Sequence, residues 1–238
     1  MKYLANGTFV VAALVCLIPA TAFTQTAYFQ DFESLSQVDG ALAADGWLGY
    51  VNVFDPNGVY LYGYGPFPAP NNLDPGNYCD IVMGQGGYQQ DLKQLVMYSN
   101  YYDEQHGNGF WLESNLFQEQ VLPAGTTGTW YFTFDAKLGN LGGNSLAAAF
   151  IKTLDPDAGY AITRFIVEEM TGTPATWTDY SLSLDVSGLD NQFLQFGFLS
   201  VATNYEPCGI FYDNVAFSDD GTVAIEVKSF SSVKSLFR

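Results

Sequence analysis

The run Trp130-Tyr131-Phe132-Thr133-Phe134-Asp135-Ala136 alternates, residue by residue, between an apolar face and a more polar one. In an extended chain successive side chains point to opposite sides. Trp130, Phe132, Phe134 and Ala136 therefore share one face, and Tyr131, Thr133 and Asp135 the other. This is the pattern of a strand laid on a core. Residues 193–198 (FLQFGF) repeat the habit. Working outward, residues 47–54, 59–64, 95–98, 110–121, 145–153, 160–169, 177–186 and 210–217 read as further strands, and Tyr28, Phe32 and Leu35 as part of a first one. Gly, Pro, Asn or Asp bounds each of them, as at Asp55-Pro56-Asn57-Gly58, and these residues break strands and build turns. No segment of helical period connects them, which favours a sandwich of antiparallel sheets over an α/β sheet. Residues 63–78 (GYGPFPAPNNLDPGNY) stand apart. Dense in Gly, Pro and Asn, they read as a long loop carrying aromatics, and long loops within a domain tend to be functional.

The first residues read as a leader. Met1 and Lys2 precede an apolar run at residues 9–19 (FVVAALVCLIP), and Ala20-Thr21-Ala22 follows as a small-x-small exit. Charged start, short apolar middle and small-residue exit make a secretory signal peptide. The run is too short for a membrane span, which takes roughly 20 apolar residues. The expectation is a signal peptide over 1–22, one β-sandwich domain over 23–217, and a polar break with a short basic tail over 218–238, in a protein secreted or held at the cell surface. In the tail, Val233, Leu236 and Phe237 lie at helical spacing beside Lys234 and Arg238. That is the pattern of a surface-attachment or docking segment, or of a frayed terminus.

Eight Lys and Arg, Lys2 among them, face 25 Asp and Glu, for a net charge of −17. Such acidity makes nucleic acid and anionic lipid poor partners. It suits calcium, a neutral ligand, or solubility alone. Of the cysteines, Cys16 falls in the leader. Cys79 and Cys208 remain, and an even pair in an exported chain suggests one disulfide, with two buried thiols as the alternative.

Three blocks, in order, carry a family resemblance. The first is Phe29-Gln30-Asp31-Phe32-Glu33-Ser34, followed by Gly46-Trp47. The second is Phe117-Gln118-Glu119-Gln120-Val121-Leu122-Pro123-Ala124-Gly125, followed by residues 130–137. The third is Thr176-Trp177-Thr178-Asp179-Tyr180-Ser181, followed by Phe211-Tyr212-Asp213-Asn214-Val215. This succession resembles the jelly-roll carbohydrate-binding modules of families four, nine and twenty-two, and the galactose-binding-like sandwich in general. The resemblance implies an all-β jelly-roll β-sandwich, a glycan or polysaccharide partner, and a structural calcium that ties the first strand to the last. The matching calcium ligands are Glu33 and Asp213. Asp31, on the same strand face as Glu33, is a further candidate. Calcium takes several oxygen ligands from carboxylates and carbonyls. The alternative is a solvent-facing Glu33 and an Asp213 that caps a turn.

Sugar rings pack their C–H-rich face on aromatic planes while amides and carboxylates take the hydroxyls. Trp47, Trp130 and Trp177 read as core. The ligand candidates are Tyr60, Tyr62, Tyr64 and Phe67, then Tyr101, Tyr102 and Trp111, with Gln118, Asn71, Asn72, Gln85 and Gln89 as hydrogen-bonding partners. Residues 55–109 are longer and richer in Tyr and Gly than a minimal module, so the family's cleft does not transfer residue by residue.

Catalytic signatures are sparse. The sole histidine, His106, lies in a polar turn, and no Gly-x-Ser-x-Gly elbow accompanies it. Zinc sites combine several His and Cys, which this chain lacks. Glycosidases need only two carboxylates, and Glu113, Glu119, Glu168 and Glu169 fall on expected strands. A non-catalytic, calcium-stabilised glycan binder is the leading expectation. A cell-surface interaction protein on the same sandwich, and a secreted carboxylate-dependent glycosidase or lyase, stand beside it.

Overall fold

The computed structural model describes residues 25–72, 77–100, 105 and 108–220. The leader, the tail beyond Asp220, and Tyr101, Tyr102 and His106 lie outside the described residues. In chain order the strands are β1 (Tyr28–Gln30), β2 (Leu48–Phe54), β3 (Tyr60–Pro68), β4 (Cys79–Met83), β5 (Lys93–Met97), β6 (Trp111–Val121), β7 (Thr129–Leu138), β8 (Leu146–Asp155), β9 (Ala161–Glu169), β10 (Thr178–Asp185), β11 (Phe193–Ala202) and β12 (Ile210–Ser218). One short helix, α1 (Ala41–Ala44), precedes β2. Among the described residues no helix is long and apolar enough to cross a membrane.

The strands form two six-stranded sheets. The first runs β10-β7-β12-β5-β4, with β1 added beside β12, and the second runs β3-β2-β6-β11-β8-β9. The pairings are antiparallel throughout. This is the expected all-β jelly-roll sandwich. The alternation in residues 130–136 places β7 at its centre: Trp130, Phe132, Phe134 and Ala136 are buried between the sheets. From the facing sheet, Phe196 and Phe198 of β11 meet them, with ring centroids 5.4 Å from Phe132. Phe196 stacks on Phe217 at 4.4 Å and Phe198 on Tyr212 at 3.7 Å. The core is thus an aromatic slab joining β7, β11 and β12, and burial drives the Tyr212 hydroxyl far above its ordinary pKa.

β12 changes neighbours midway. Residues 210–212 pair with β5, and residues 215–217 pair with β1. The ladder with β7 slips between Asp213 and Ala216, where Asn214 stands at φ 51°. Asn tolerates this left-handed conformation better than most residues, so one amide serves as the hinge of the bulge.

Several expectations are corrected. β1 ends at Gln30 because Phe32 turns to φ 59° and buries its ring in the core. Residues 63–68 are not loop but the second half of β3. β4 was not expected at all; it is a short edge strand whose Cys79, Asp80 and Ile81 are buried. Trp177 is not core: its indole N–H donates to Gln85 O at 3.0 Å, and Lys137 lies 5.4 Å from its ring.

The Cys79–Cys208 disulfide is also absent; both residues are buried thiols. β5 lies between β4, which carries Cys79, and β12, which Cys208 precedes, so the strands themselves stand two spacings apart, about 9–10 Å. A disulfide tolerates at most about 7 Å between Cα atoms. Cys79 Sγ instead donates to Pro70 O at 3.2 Å, and Cys208 Sγ accepts the Ser99 N–H at 2.9 Å. Burial pushes the Cys79 thiol well above its usual pKa, which suppresses the reactive thiolate.

Candidate binding face

The second sheet carries apolar side chains on both faces. Val51, Val53, Leu112, Leu116, Ala147, Ala149, Ile151, Phe196 and Phe198 point into the sandwich. Their alternates Phe117, Ala148, Phe150, Leu199 and Val201 form a separate cluster, with Leu48, Tyr50 and Trp111 packed against it. By the period of two, this cluster lies on the side turned away from the first sheet.

The register places the face residue by residue. Phe54 opposes Trp111, Asn52 opposes Glu113, Tyr50 opposes Asn115 and Leu48 opposes Phe117. Next along the sheet, Gly197 stands between Phe117 and Phe150, and Gln195 between Glu119 and Lys152. At one end Phe54 meets Tyr60 edge-on at 5.7 Å, and Trp111 packs beneath the turn at Gly58, where an added Cβ would sit 3.3 Å from the indole. Tyr50 lies beside Tyr60, and its hydroxyl pKa is raised, by burial first and by Tyr60 second. In the middle, Gly197 stands between Phe117 and Phe150, both buried. A Cβ there would meet Leu116 O at 2.1 Å and Phe117 Cα at 2.7 Å, so only glycine fits.

The polar groups of this face are tied to one another. Glu113 Oε1 accepts from Asn52 Nδ2 at 2.8 Å and from Asn115 Nδ2 at 3.0 Å. Gln195 Nε2 donates to Glu119 Oε2 at 2.5 Å. The Lys152 ammonium lies over the Phe150 and Phe117 rings, at 5.0 and 5.6 Å from their centroids. Burial lowers its pKa, and Glu113 and Glu119 oppose that shift. The result is a sheet face with an aromatic end, a phenyl floor and pre-oriented amide–carboxylate pairs.

Of the residues expected from the sequence, Tyr60 and Trp111 meet here. Tyr64 and Phe67 do not: with Tyr62 they form a ring ladder, Tyr64 and Phe67 stacking at 6.3 Å, and those two pack against the intersheet core. Tyr62, Tyr64 and Phe67 oppose the inward positions Val53, Val51 and Gly49. Gln118 points inward, is 7% exposed, and donates to Asp45 O at 3.0 Å. Asn71 is buried and latches the chain, accepting from Ile81 N at 2.8 Å and donating to Val38 O at 2.7 Å. Gln85 accepts from the Lys137 ammonium, and Gln89 O from the Asn214 amide. Asn72 pairs with Asn77. The members that sequence reasoning missed are Tyr50, Asn52, Phe54, Asn115, Phe117, Phe150, Lys152, Gln195 and Gly197, while Glu113 entered it only as a candidate catalytic carboxylate. Their signal was strands apolar at both parities yet carrying Asn, Gln, Glu and Lys in mid-strand.

The described side chains include the expected calcium ligands Glu33, Asp31 and Asp213. Among the described residues no group of three His, Cys, Asp or Glu is arranged to hold a metal. Glu33 Oε1 accepts the backbone N–H groups of Leu92 and Lys93 at 2.8 and 2.6 Å. Asp31 Oδ1 accepts the Glu33 N–H at 3.2 Å, and Asp213 Oδ1 accepts the Asn214 N–H at 2.7 Å. The positive charge at the exit of β1 is the Lys93 ammonium, which donates to Glu33 O at 2.9 Å and to Leu35 O at 2.6 Å.

The outer face of the first sheet holds a different arrangement. Asp135 is opposed by Asp179 on one side and Asp213 on the other. Its Oδ2 accepts from Gln90 Nε2 at 2.7 Å and from Asn214 Nδ2. Its carboxyl pKa is raised, by burial first and by the neighbouring Asp179. The turn around Gln85–Gln90 folds over this carboxyl, making it a structural anchor.

No protein-family model matches the chain, and no curated protein sequence matches it. Solved structures do resemble it. The C-terminal family 22 carbohydrate-binding module of Clostridium thermocellum Xyn10B gives a TM-score of 0.43 at 12% identity, over 82% of this chain and 95% of that one. A family 61 module in complex with β-1,4-galactotriose gives 0.36 at 14% identity, over 60% and 82%. The enzymatically active domain of bacteriophage CBA120 tailspike protein 4 gives 0.41 at 14% identity, over 59% of this chain but 17% of that one. The likeness lies in the fold, a β-sandwich of two antiparallel sheets.

Proposed function

We propose that this chain is an exported, non-catalytic glycan-binding protein that takes its ligand on the outer face of the second sheet. The observation that carries the reading is the joint placement of Trp111, Phe54, Asn52 and Glu113, all half-buried, with the exposed Tyr60 on the outer face of the second sheet, the buried Asn115 donating to Glu113. A pyranose stacks its C–H face on the aromatic end, and its hydroxyls exchange hydrogen bonds with amides and a carboxylate already held in place. Because these groups are fixed by one another before binding, little ordering cost remains. Export rests on residues 1–22 of the sequence.

The separation of the strand glutamates argues against a glycosidase pair made of Glu113 with Glu119 or Glu169. Glu113 and Glu119 lie six residues apart on β6, about 20 Å along the strand. Glycosidase pairs need about 5–9.5 Å. Glu169, on β9, is three strands away from β6, or about 14 Å.

Affinity electrophoresis against neutral polysaccharides tests the proposal. At least one glycan should retard the protein. Trp111→Ala should weaken that retardation by about tenfold or more, near 1.4 kcal/mol, in protein whose circular dichroism shows it still folded. A protein that no glycan retards overturns the reading, as does one whose retardation survives Trp111→Ala.

A further inference from the structure

β9 is the free edge of the second sheet, and it is unusually bare. Ile162 is 58% exposed, Phe165 51%, Ile166 36% and Val167 47%. Free edges are commonly guarded by bulges, Pro, Lys or short length. β9 runs nine residues without Pro or Lys, and after the single shift between Thr153 and Leu154 its register to β8 is unbroken from Arg164 to Glu169. The other edge of this sheet, β3, is interrupted by two register shifts and carries no charged residue.

The sequence of β9 is complementary to itself. About Ile166 as centre, Arg164 balances Glu168 and Phe165 balances Val167. Arg164 is also the one cation among the described residues that lies on an exposed strand edge. Lys93 and Lys137 donate to oxygens elsewhere in the chain, and the Lys152 ammonium lies over Phe150.

We infer that β9 is a homodimer edge: two copies pair their β9 strands antiparallel about Ile166. Ile166 then opposes Ile166 of the second copy, Phe165 opposes Val167, and Arg164 opposes Glu168 twice over. Directly opposed residues in an antiparallel pair point to the same side, so the two Arg164–Glu168 contacts flank the Ile166 pair on one face and Phe165 meets Val167 on the other. The ladder supplies backbone hydrogen bonds, and the two Arg–Glu contacts set the register against the mutual repulsion of two acidic chains. A two-fold pairing consumes both edges, so assembly stops at the dimer.

Sedimentation equilibrium of the full chain, from about 1 to 500 μM, reads the mass directly. Wild type should move from monomer to dimer. Arg164→Glu and Glu168→Arg should each weaken the dimer by about tenfold or more, since each sets like charges opposite one another. The double reversal Arg164→Glu/Glu168→Arg should restore it. Arg164 also lies within Coulombic reach of Asp185 in its own chain. The internal repulsion that Arg164→Glu creates is present in that variant and in the double variant alike, so restoration isolates the contact between copies. A chain that stays monomeric, a dimer indifferent to the single reversals, a double reversal that fails to restore, or open-ended assembly each overturns the inference.

Discussion

Gly197 shows how much of the binding face rests on single residues. It sits in mid-strand with the Leu116 and Phe117 backbone so close that even a methyl group has no room. Gly197→Ala should cost about 1–3 kcal/mol through forced displacement of β6, read as a lowered urea midpoint at unchanged slope. A neutral outcome would mean that β6 and β11 are farther apart than described. Asp135 makes a second prediction. Its raised carboxyl pKa means that the folded protein keeps a proton which the unfolded chain has lost. In that interval the native state binds more protons, so this group makes stability fall as pH rises from the ordinary carboxylate range through its folded pKa, and it makes no further change above. Asp135→Asn should remove that falling component, visible as a flatter plot of unfolding free energy against pH. An unaltered plot would place the proton elsewhere. Residue roles were the least legible level in the sequence. Gln118 and Asn71 have the chemistry of ligand contacts, yet Asp45 O and Ile81 N–H already engage them. Which partner an amide finds depends on contacts distant in sequence.

Elements were read more surely than residues, because a two-residue period is a local property and survives without tertiary information. The alternation in residues 130–136 placed β7, and most later strands fell within a few residues of their expected bounds. The failures have physical causes. Residues 63–68 read as loop because Gly and Pro dominate them, but an edge strand tolerates both. β4 was overlooked because it directly follows the Gly-, Pro- and Asn-rich stretch that read as loop, and it carries Asp80 in mid-strand. The face of the second sheet was hidden for another reason: alternation reveals one buried face, whereas this sheet is apolar on both. The link between β1 and β5 shows a further limit, since matching Glu33 to a calcium ligand could not reveal that the Lys93 ammonium also reaches this junction. Lys93→Met should therefore lower stability by about 1–3 kcal/mol, the worth of hydrogen bonds to a charged group. Wild-type urea unfolding should be the same in chelator and in calcium. A calcium-dependent rise of the wild-type midpoint would show that a metal, rather than the ammonium, closes this junction.

At the scale of the whole molecule, the edge and the face belong to the same sheet, and that couples the two proposals. If two β9 strands pair as argued, side chains opposed across the junction share a side, so the outer faces of both copies look in the same direction. The second sheet then continues across the dimer, and seven strand spacings separate one β6, which carries Trp111, from the other, about 33 Å. A short oligosaccharide reaches one face only, whereas a polysaccharide long enough to cross that span engages both. The second contact is then intramolecular, and apparent affinity rises without any new contact. Arg164→Glu should accordingly leave affinity for a short oligosaccharide unchanged while lowering affinity for the parent polymer by about tenfold or more. The Arg164→Glu/Glu168→Arg pair should recover the polymer affinity. Titration calorimetry with the oligosaccharide, set beside affinity electrophoresis in the polymer, separates the cases. Equal weakening toward both ligands would place Arg164 in the binding face itself. No weakening toward either would mean that the two faces act independently, or that they do not share a side. Only a loss confined to the polymer, and reversed by the second substitution, fits a binding surface that the free edge extends from one chain to two.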